Sequence, residues 1–271
     1  MGLGRILCGV PHVLGGGLLA AALWLAGASM ASACFVMAVS NAMPNSITSQ
    51  IGPFGIRSAW YEEPTDIYGH GIMGDVQDAR RLHAVISERA TCTEYQIDAG
   101  PGFVFEDTAP RLVDLTGDDF PEVIAVRTSL TEGAQLAVYA MVDGKMVYLT
   151  GTPPIGTRFR WLSPVGATDL DGDGNIEIAF IDRPHLARTL RIWRWIDGSL
   201  TQVASLPGVT NHRIGDEVIF GGLRKCGEPE MILADAFWST LLAVRFDGAE
   251  FDVRPLDTPP DAETFEMALA C

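Results

Sequence analysis

The sequence predicts an all-β protein, a small β-propeller or propeller-like array of four-stranded repeats with a short C-terminal helix. Three observations favour this fold class: apolar and polar residues alternate over short stretches, Asp-Gly pairs separate such stretches, and an acidic motif recurs at a fixed offset. Alternation at period two is typical of half-buried strands, and Asp-Gly between two strands indicates a β-hairpin. About four strands per repeat of about 50 residues are typical of propellers. A β-sandwich is the alternative, and the fixed offsets count against it.

Residues 1–33 have the pattern of a secretory signal peptide. Arg5 precedes a run of small and apolar residues that ends with the letters ASA at 31–33. A basic start, an apolar centre and small residues before the cleavage point are typical of such signals. We therefore expect a periplasmic or secreted protein that begins at Cys34. A membrane anchor and a lipid on Cys34 are the alternatives, and no later stretch is apolar enough to cross a bilayer.

The charge of the chain excludes some classes of partner. Removal of Arg5 with the signal changes the formal net charge from −15 to −16. Binding to nucleic acid relies on lysine and arginine to displace counterions from phosphates. We therefore expect no nucleic-acid partner, no attraction to anionic membranes and no membrane span once the signal is removed.

Four cysteines remain in the predicted mature chain. An even number of cysteines in an exported protein indicates two disulfides, with three pairings open. No two of them form a C-x-x-C pair, so the sequence does not indicate a zinc or redox motif. The four residues are Cys34, Cys92, Cys226 and Cys271.

An acidic motif recurs along the chain. The copies LVDLTGDDFPEVIAV at 112–126 and ATDLDGDGNIEIAFI at 167–181 align their aspartates, glycine and glutamate at a constant offset of 55. A third copy at 221–235 has lost its aspartates, and a weaker first unit begins at residue 67. Repeats of this kind predict an array of similar units. The predicted divisions are an N-terminal segment at 34–66, a repeat domain at 67–257 with units at about 67–111, 112–166, 167–219 and 220–257, and a tail at 258–271 that contains the helix.

The motif at 169–177 predicts a calcium site. Calcium prefers six to eight oxygen ligands at about 2.3–2.6 Å, and carboxylates at alternate loop positions converge on one centre. Gly172 and Gly174 permit a tight turn. An EF-hand would need a glutamate where Phe180 stands, and helices on both sides, so we expect an EF-like loop between strands. The predicted ligands are Asp169, Asp171, Asp173, Asn175 through its backbone carbonyl, and Glu177.

A second, weaker calcium site is predicted in the copy at 112–126. Thr116 and Asp119 replace a carboxylate and a glycine of the stronger motif, and the lower ligand charge reduces the expected affinity. The alternative is a vestigial loop held by hydrogen bonds from side chains to backbone. In the third copy we expect no metal, with Cys226 in a disulfide that fixes the loop instead. The predicted ligands of the second site are Asp114, Asp118 and Glu122.

The stretch DLDGDGNIEI, followed by apolar strands, resembles the FG-GAP/VCBS repeat family. Its members include the calcium-binding blades of integrin α-subunit propellers and many exported bacterial proteins. The resemblance covers roughly residues 105–250 and is strongest at 167–181. EEPTDIYGHGIMGD and TNHRIGDEVIFGGL resemble small proteobacterial VCBS-repeat proteins of unassigned function. The resemblance implies a propeller fold and calcium, and it implies no reaction.

The sequence assigns no catalytic residue, since it contains no nucleophile elbow, H-E-x-x-H helix or phosphate-binding loop. Calcium held by one short loop indicates a structural role, because binding to the native state alone stabilises it. We therefore expect a binding or interaction module for an unknown protein or saccharide ligand. A secreted saccharide-active hydrolase or lyase with its site at the propeller mouth is the alternative, and a subunit that needs a partner is a third reading.

Candidate ligand-binding residues come from the motif TNHRIGDE, which precedes the third loop. Loops between blades line a shared mouth in a propeller, so these polar groups could contact an anionic or sugar ligand. The structural alternative is a set of hydrogen bonds between blades. The candidates are Asn211, His212, Arg213 and Asp216.

Overall fold

The computed structural model describes residues 39, 41–50, 54–88 and 91–270. The predicted signal peptide lies outside these residues, and so do Cys34 and Cys271. The described part is mostly β-strand with one short helix near its C-terminal end, as the sequence predicts. Cys92 and Cys226 lie within it, but the disulfide pairing stays a prediction.

The first sheet contains nine strands. They are β1 (Thr48–Ser49), β2 (Gly55–Thr65), β3 (Asp78–Glu88), β4 (Thr91–Asp98), β5 (Phe103–Phe105), β6 (Arg111–Val113), β7 (Glu122–Ser129), β8 (Gly133–Val142) and β9 (Lys145–Gly151). Strands β1 to β4 form one antiparallel meander and β6 to β9 form another. The short β5 pairs with both β3 and β7 and so joins the two meanders. β1 and β2 lie within the residues that the sequence assigned to the N-terminal segment.

Two further antiparallel sheets follow. The second contains β10 (Leu162–Thr168), β11 (Glu177–Asp182), β12 (Thr189–Ile196) and β13 (Ser199–Pro207), and the third contains β14 (Val209–Thr210), β15 (Gly222–Lys225), β16 (Pro229–Asp235), β17 (Leu241–Phe246) and β18 (Phe251–Pro255). Strands β10 to β13 and β15 to β18 each run as a meander, while β14 pairs with β16. β10 lies beside both β6 and β15, so the first strands of three meanders are neighbours.

Two tight hairpins have Asp-Gly turns, as the sequence predicts. Asp143-Gly144 joins β8 to β9, and Asp197-Gly198 joins β12 to β13. All four residues have positive φ, from +47° to +80°. A two-residue turn with both φ angles positive matches the right-handed twist of the flanking strands, and Asp-Gly tolerates it well. The local sequence therefore sets these turns.

Apolar clusters fill the space between the sheets. One joins the two meanders of the first sheet around Phe105 and Tyr139. A second contains Leu136 of β8 and Ile178 of β11, and a third joins the second and third sheets around Met231. Burial of this apolar surface is the main force that holds the sheets together. The acidic loops lie at the ends of strands that these clusters anchor.

The C-terminal helix α1 (Ala262–Leu269) confirms the prediction for the tail. Asp261 caps its first turn, because the carboxylate accepts a hydrogen bond from the backbone N–H of Thr264 at 2.9 Å. Phe265 is 2% exposed and packs against Phe220 and Trp238 of the third sheet's loops. Within the described part of the chain, no helix has the length and apolar character needed to span a bilayer.

Candidate metal centre

The strongest acidic motif forms the loop between β10 and β11. Asp169 lies at its centre, since the two carboxylate oxygens accept hydrogen bonds from the backbone N–H groups of Gly172 at 2.7 Å and Gly174 at 3.0 Å. These glycines have φ angles of +80° and +89°. Glycine adopts such angles without the steric penalty that a Cβ brings. The glycines therefore let the backbone wrap around one carboxylate.

Three of the five predicted ligands converge in this loop. Oxygen atoms of Asp169, Asp171 and Glu177 lie within 4.8 Å of one another, and no other set of three ligand groups does so among the described residues. Asn175 donates its backbone and side-chain N–H groups to Asp173, at 2.8 and 2.9 Å. The roles of Asp173 and of the Asn175 backbone carbonyl as ligands stay predictions. Calcium prefers oxygen ligands, and carboxylates are among them. The three converging residues fit that ion.

Glu177 is the buried member of this group. It begins β11, is 0% exposed, and accepts a hydrogen bond from the backbone N–H of Leu170 at 2.8 Å. Burial raises the pKa of Glu177, although that hydrogen bond and the nearby Arg194 oppose the rise. A buried carboxylate needs a compensating positive charge. The carboxylate of Glu177 therefore needs a positive charge beside it, whether or not a metal ion binds.

Arg194 supplies that charge in this structure. It lies in β12 directly opposite Glu177 of β11, and its Nε donates to Oε1 of Glu177 at 2.5 Å. The same guanidinium forms an ion pair with Asp173 at 3.0 Å and a very short one with Asp171. Three predicted calcium ligands thus share one arginine, whose side chain is 17% exposed. A metal ion and this guanidinium would compete for the carboxylates of Asp171 and Glu177.

The second loop, between β6 and β7, has the same hydrogen bonds at an offset of 55 residues. The carboxylate of Asp114 accepts from the backbone N–H groups of Gly117 and Asp119, both at 2.8 Å. Glu122 accepts from the backbone N–H of Leu115 at 2.8 Å, as Glu177 does in the stronger loop. Asp119 has a φ of +64°, where the stronger loop has glycine. The two loops are therefore structural repeats, not only sequence repeats.

The second loop lacks an equivalent of Arg194. The register pairs Val123 with Tyr139, so the next position on β8, opposite Glu122, is Ala140. Burial, with the charge of Asp118 as a further contribution, raises the pKa of Glu122 to about 7. Its three predicted ligands do not converge as those of the stronger loop do. Occupancy of this second site stays a prediction.

The third loop, between β15 and β16, uses arginine in place of the lost aspartates. Arg224 lies opposite Glu230 and donates to its carboxylate at 2.6 and 2.8 Å. Arg254 of β18 contacts the other oxygen of Glu230 at 3.2 Å. Glu122, Glu177 and Glu230 hold equivalent positions, with no arginine, one arginine and two arginines respectively. The glutamate is therefore present in all three loops, and the number of arginines that compensate its charge differs between them.

The candidate ligand-binding residues make contacts within the protein. Asn211 and His212 are 0% exposed. Asn211 donates to the backbone carbonyl of Pro164 at 3.0 Å, and His212 Nδ1 lies 3.0 Å from Nε2 of His185. Burial lowers the pKa of both histidines, that of His185 to about 4. These contacts match the structural alternative, and a role in ligand binding stays a prediction.

The other two candidates lie at the edge of the same segment. The guanidinium of Arg213 stacks on the ring of Trp238 at 4.0 Å and donates to the carbonyl of Pro260 at 3.0 Å. The backbone carbonyl of Asp216 accepts a hydrogen bond from Nε2 of His212 at 2.9 Å. The segment thus joins the second sheet to the C-terminal tail.

The sequence analysis did not identify Arg194 as part of the site. A signal was present, because Arg194 is a charged residue between Trp193 and Trp195. Only the register of β11 against β12 shows which carboxylate it faces.

A comparison with protein-family models finds no match for this chain, and neither does a comparison with curated proteins.

Proposed function

We propose that this chain is an exported, calcium-stabilised FG-GAP/VCBS-type repeat protein that serves as a binding or interaction module. The observation that carries the proposal is the convergence of Asp169, Asp171 and Glu177 in a loop turned by two glycines. Export is inferred from the signal-like pattern at 1–33. Calcium in this loop would have a structural role.

A propeller-like arrangement is part of the proposal. Its support is the succession of four-stranded antiparallel meanders, three of which begin with neighbouring strands, β6, β10 and β15. In each of these three meanders, a loop of the acidic-motif repeat follows the first strand. Repeated loops at equivalent strand ends therefore lie on one side of the array.

Calcium would be held by Asp169, Asp171 and Glu177, where it would supply positive charge to a buried carboxylate. Arg194 would compete with the ion, because its guanidinium already pairs with the carboxylates of Asp171 and Glu177. This competition favours a weak site. A dissociation constant of about 10⁻⁴–10⁻³ M, usual for extracellular modules, suits a protein outside the cytoplasm.

The interaction role rests on exposed apolar side chains in loops. Leu186 is 64% exposed and Ile214 is 70% exposed, and both border a depression that also contains Phe159 and His70. Exposed apolar residues that gather at one place mark interaction surfaces more often than single ones do. Loops held by a rigid scaffold are the usual carriers of such surfaces.

Calcium calorimetry on matched variants tests this proposal. Asp169→Asn removes one charge from the convergent group without touching Arg194, and Asp114→Asn makes the same change in the second loop. We expect the heat of calcium binding at the stronger site to disappear in Asp169→Asn and to persist in Asp114→Asn. Equal binding by both variants and the unmodified protein would overturn the assignment of the site.

A further inference from the structure

An acidic pocket lies beneath the segment that joins β2 to β3. The cavity has a volume of about 270 Å³ and is lined by residues 65–66, residues 69–78 and Glu106. Four carboxylates line it, and its described lining contains no lysine or arginine. A small space with this many acidic groups has a strongly negative potential. The carboxylates are those of Asp66, Asp75, Asp78 and Glu106.

Asp78 is a buried carboxylate of this pocket without a hydrogen-bond partner in the described part of the chain. It is 8% exposed, lines the cavity, and its carboxylate makes no hydrogen bond with any other described residue. Glu106, by contrast, contacts His70 at 2.6 Å and accepts from Thr128 at 2.9 Å. A buried carboxylate without a hydrogen bond is costly. Burial, the charge of Glu106 and that of Asp66 together raise the pKa of Asp78 to about 8.

Asp66 and Asp75 form the outer part of the pocket. Both are exposed, and Asp66 accepts a hydrogen bond from the side-chain amide of Gln77 at 2.9 Å. Acidic side chains therefore extend from the buried Asp78 to the rim, along the path that a ligand would take. Exposed charges of one sign around a cleft attract ligands of the opposite sign.

We propose that this pocket binds a small organic cation through a primary ammonium group, with Asp78 as the counter-ion. An ammonium group offers three N–H donors, and each can meet a separate carboxylate without the close convergence that a metal requires. Among the described residues, that convergence occurs only at Asp169, Asp171 and Glu177, so the pocket's carboxylates do not form a ready metal site. The pocket is a second site, and it does not depend on calcium in the 169–177 loop.

The position of the pocket supports ligand access. Its wall includes Gly69, Gly71 and Gly74, all with φ near +60°. A Cβ on Gly74 would lie 2.6 Å from the carbonyl oxygen of Gly215, so this glycine is required for the close packing of two loops. The segment that forms the pocket is therefore held in place by the loop after β14, and the pocket is built before a ligand arrives.

Titration of the mature protein with n-butylammonium chloride tests the proposal. The titration is run in EDTA at about pH 8.5, above the pKa of Asp78 and below that of an alkylammonium ion. Calorimetry measures binding. The NMR signals of the His70 imidazole show whether the ligand binds in the pocket, since His70 lines it. Sodium chloride at equal concentration controls for ionic strength, and 1-butanol controls for the apolar chain.

We expect saturable binding at millimolar concentrations with a shift of the His70 signals, and no such effect from 1-butanol. Asp78→Asn should weaken binding by about tenfold, because it removes the charge but keeps the shape. Asp252→Asn, an exposed acidic residue of β18, should bind as the unmodified protein does. If Asp78→Asn does not fold, Asp66→Asn at the exposed rim should show a weaker loss in the same direction.

Three results would overturn the proposal. The first is no saturable binding by the unmodified protein, and the second is equal affinity in Asp78→Asn. The third is a shift of the His70 signals by calcium that excludes n-butylammonium, which would make the pocket a metal site.

Discussion

Substitution of Arg194 by glutamine tests the roles of the guanidinium and of calcium in the acidic loop separately. The substitution removes ion pairs with Asp171, Asp173 and Glu177 and leaves Glu177, 0% exposed, without a compensating charge. Removal of one partner of a buried ion pair costs about 3–5 kcal/mol. Asp173 has a side chain that is 40% exposed, so solvent reduces the contribution of the Arg194–Asp173 ion pair to stability. Without calcium we therefore expect Arg194→Gln to lower the free energy of unfolding by about 2–4 kcal/mol.

Calcium should reverse much of this loss, because the carboxylates are then free to hold the metal. At a calcium concentration ten times the dissociation constant, the unmodified protein gains about 1.4 kcal/mol by mass action. If loss of the competing guanidinium strengthens binding about tenfold, Arg194→Gln gains about 2.7 kcal/mol at the same concentration. The difference corresponds to about 3–5 °C in the unfolding temperature for a domain of this size.

Thermal and urea unfolding, each with EDTA and with calcium, measure both effects. Arg191→Gln is the matched control, because Arg191 lies on the same strand and pairs with Asp182 at 3.0 Å, outside the acidic loop. It should be destabilised by the same amount with and without calcium. The reasoning is refuted if calcium stabilises Arg194→Gln no more than it stabilises the unmodified protein.

Three further predictions concern single residues. Asp78 has a folded pKa of about 8 against an ordinary value of 3.8, so the folded state binds more protons than the unfolded state between these values. Stability therefore falls as pH rises through that window, with a contribution from Asp78 of at most about 6 kcal/mol. Urea unfolding at several pH values should show a smaller fall of stability with pH in Asp78→Asn than in the unmodified protein. Gly174→Ala should cost about 1–2 kcal/mol in thermal unfolding, since φ is +89° and no atom lies within 4 Å of the new Cβ, whereas Asp119→Gly at the equivalent position should not destabilise. Asp261→Ala should lower the urea concentration at the midpoint of unfolding, because it removes the cap of α1. An unchanged midpoint would mean that the helix does not contribute to global stability.

The sequence could predict features that depend on neighbouring residues. The turns at Asp143-Gly144 and Asp197-Gly198, the cap region of α1 and the wrapping of the loop around Asp169 all follow from local backbone preferences. Periodicity likewise predicts strands, because alternation needs only one buried face. These features need no knowledge of distant contacts.

Features that depend on register or on distant pairing could not be predicted. Arg194 faces Glu177 only because β11 and β12 pair as they do, with a bulge on the other edge of β12 between Ile192 and Trp193. Asp78 and Glu106 share a pocket because β5 pairs with β3, and β5 has only three residues. A one-residue slip in a strand moves its side chains to the opposite face. Sequence alone does not fix such registers.

The sequence also could not predict which polar residues are buried. Asn211 and His212 stand in a polar stretch that is typical of an exposed loop, yet both are 0% exposed and contact protein groups. Their hydrogen-bond partners come from segments that are distant in the chain, Pro164 and His185 among them. Polar residues are tolerated inside a protein when such partners exist, and the partners appear only in the folded structure.

Thermal unfolding of the mature protein in EDTA and then in excess calcium tests the central claim most directly. The account predicts a rise of a few degrees that is lost in the double variant Asp171→Ala and Asp173→Ala, since a site at 169–177 binds only the folded chain. An unfolding temperature that is the same with EDTA and with calcium would contradict it. In that case the carboxylates of the loop would serve Arg194 alone.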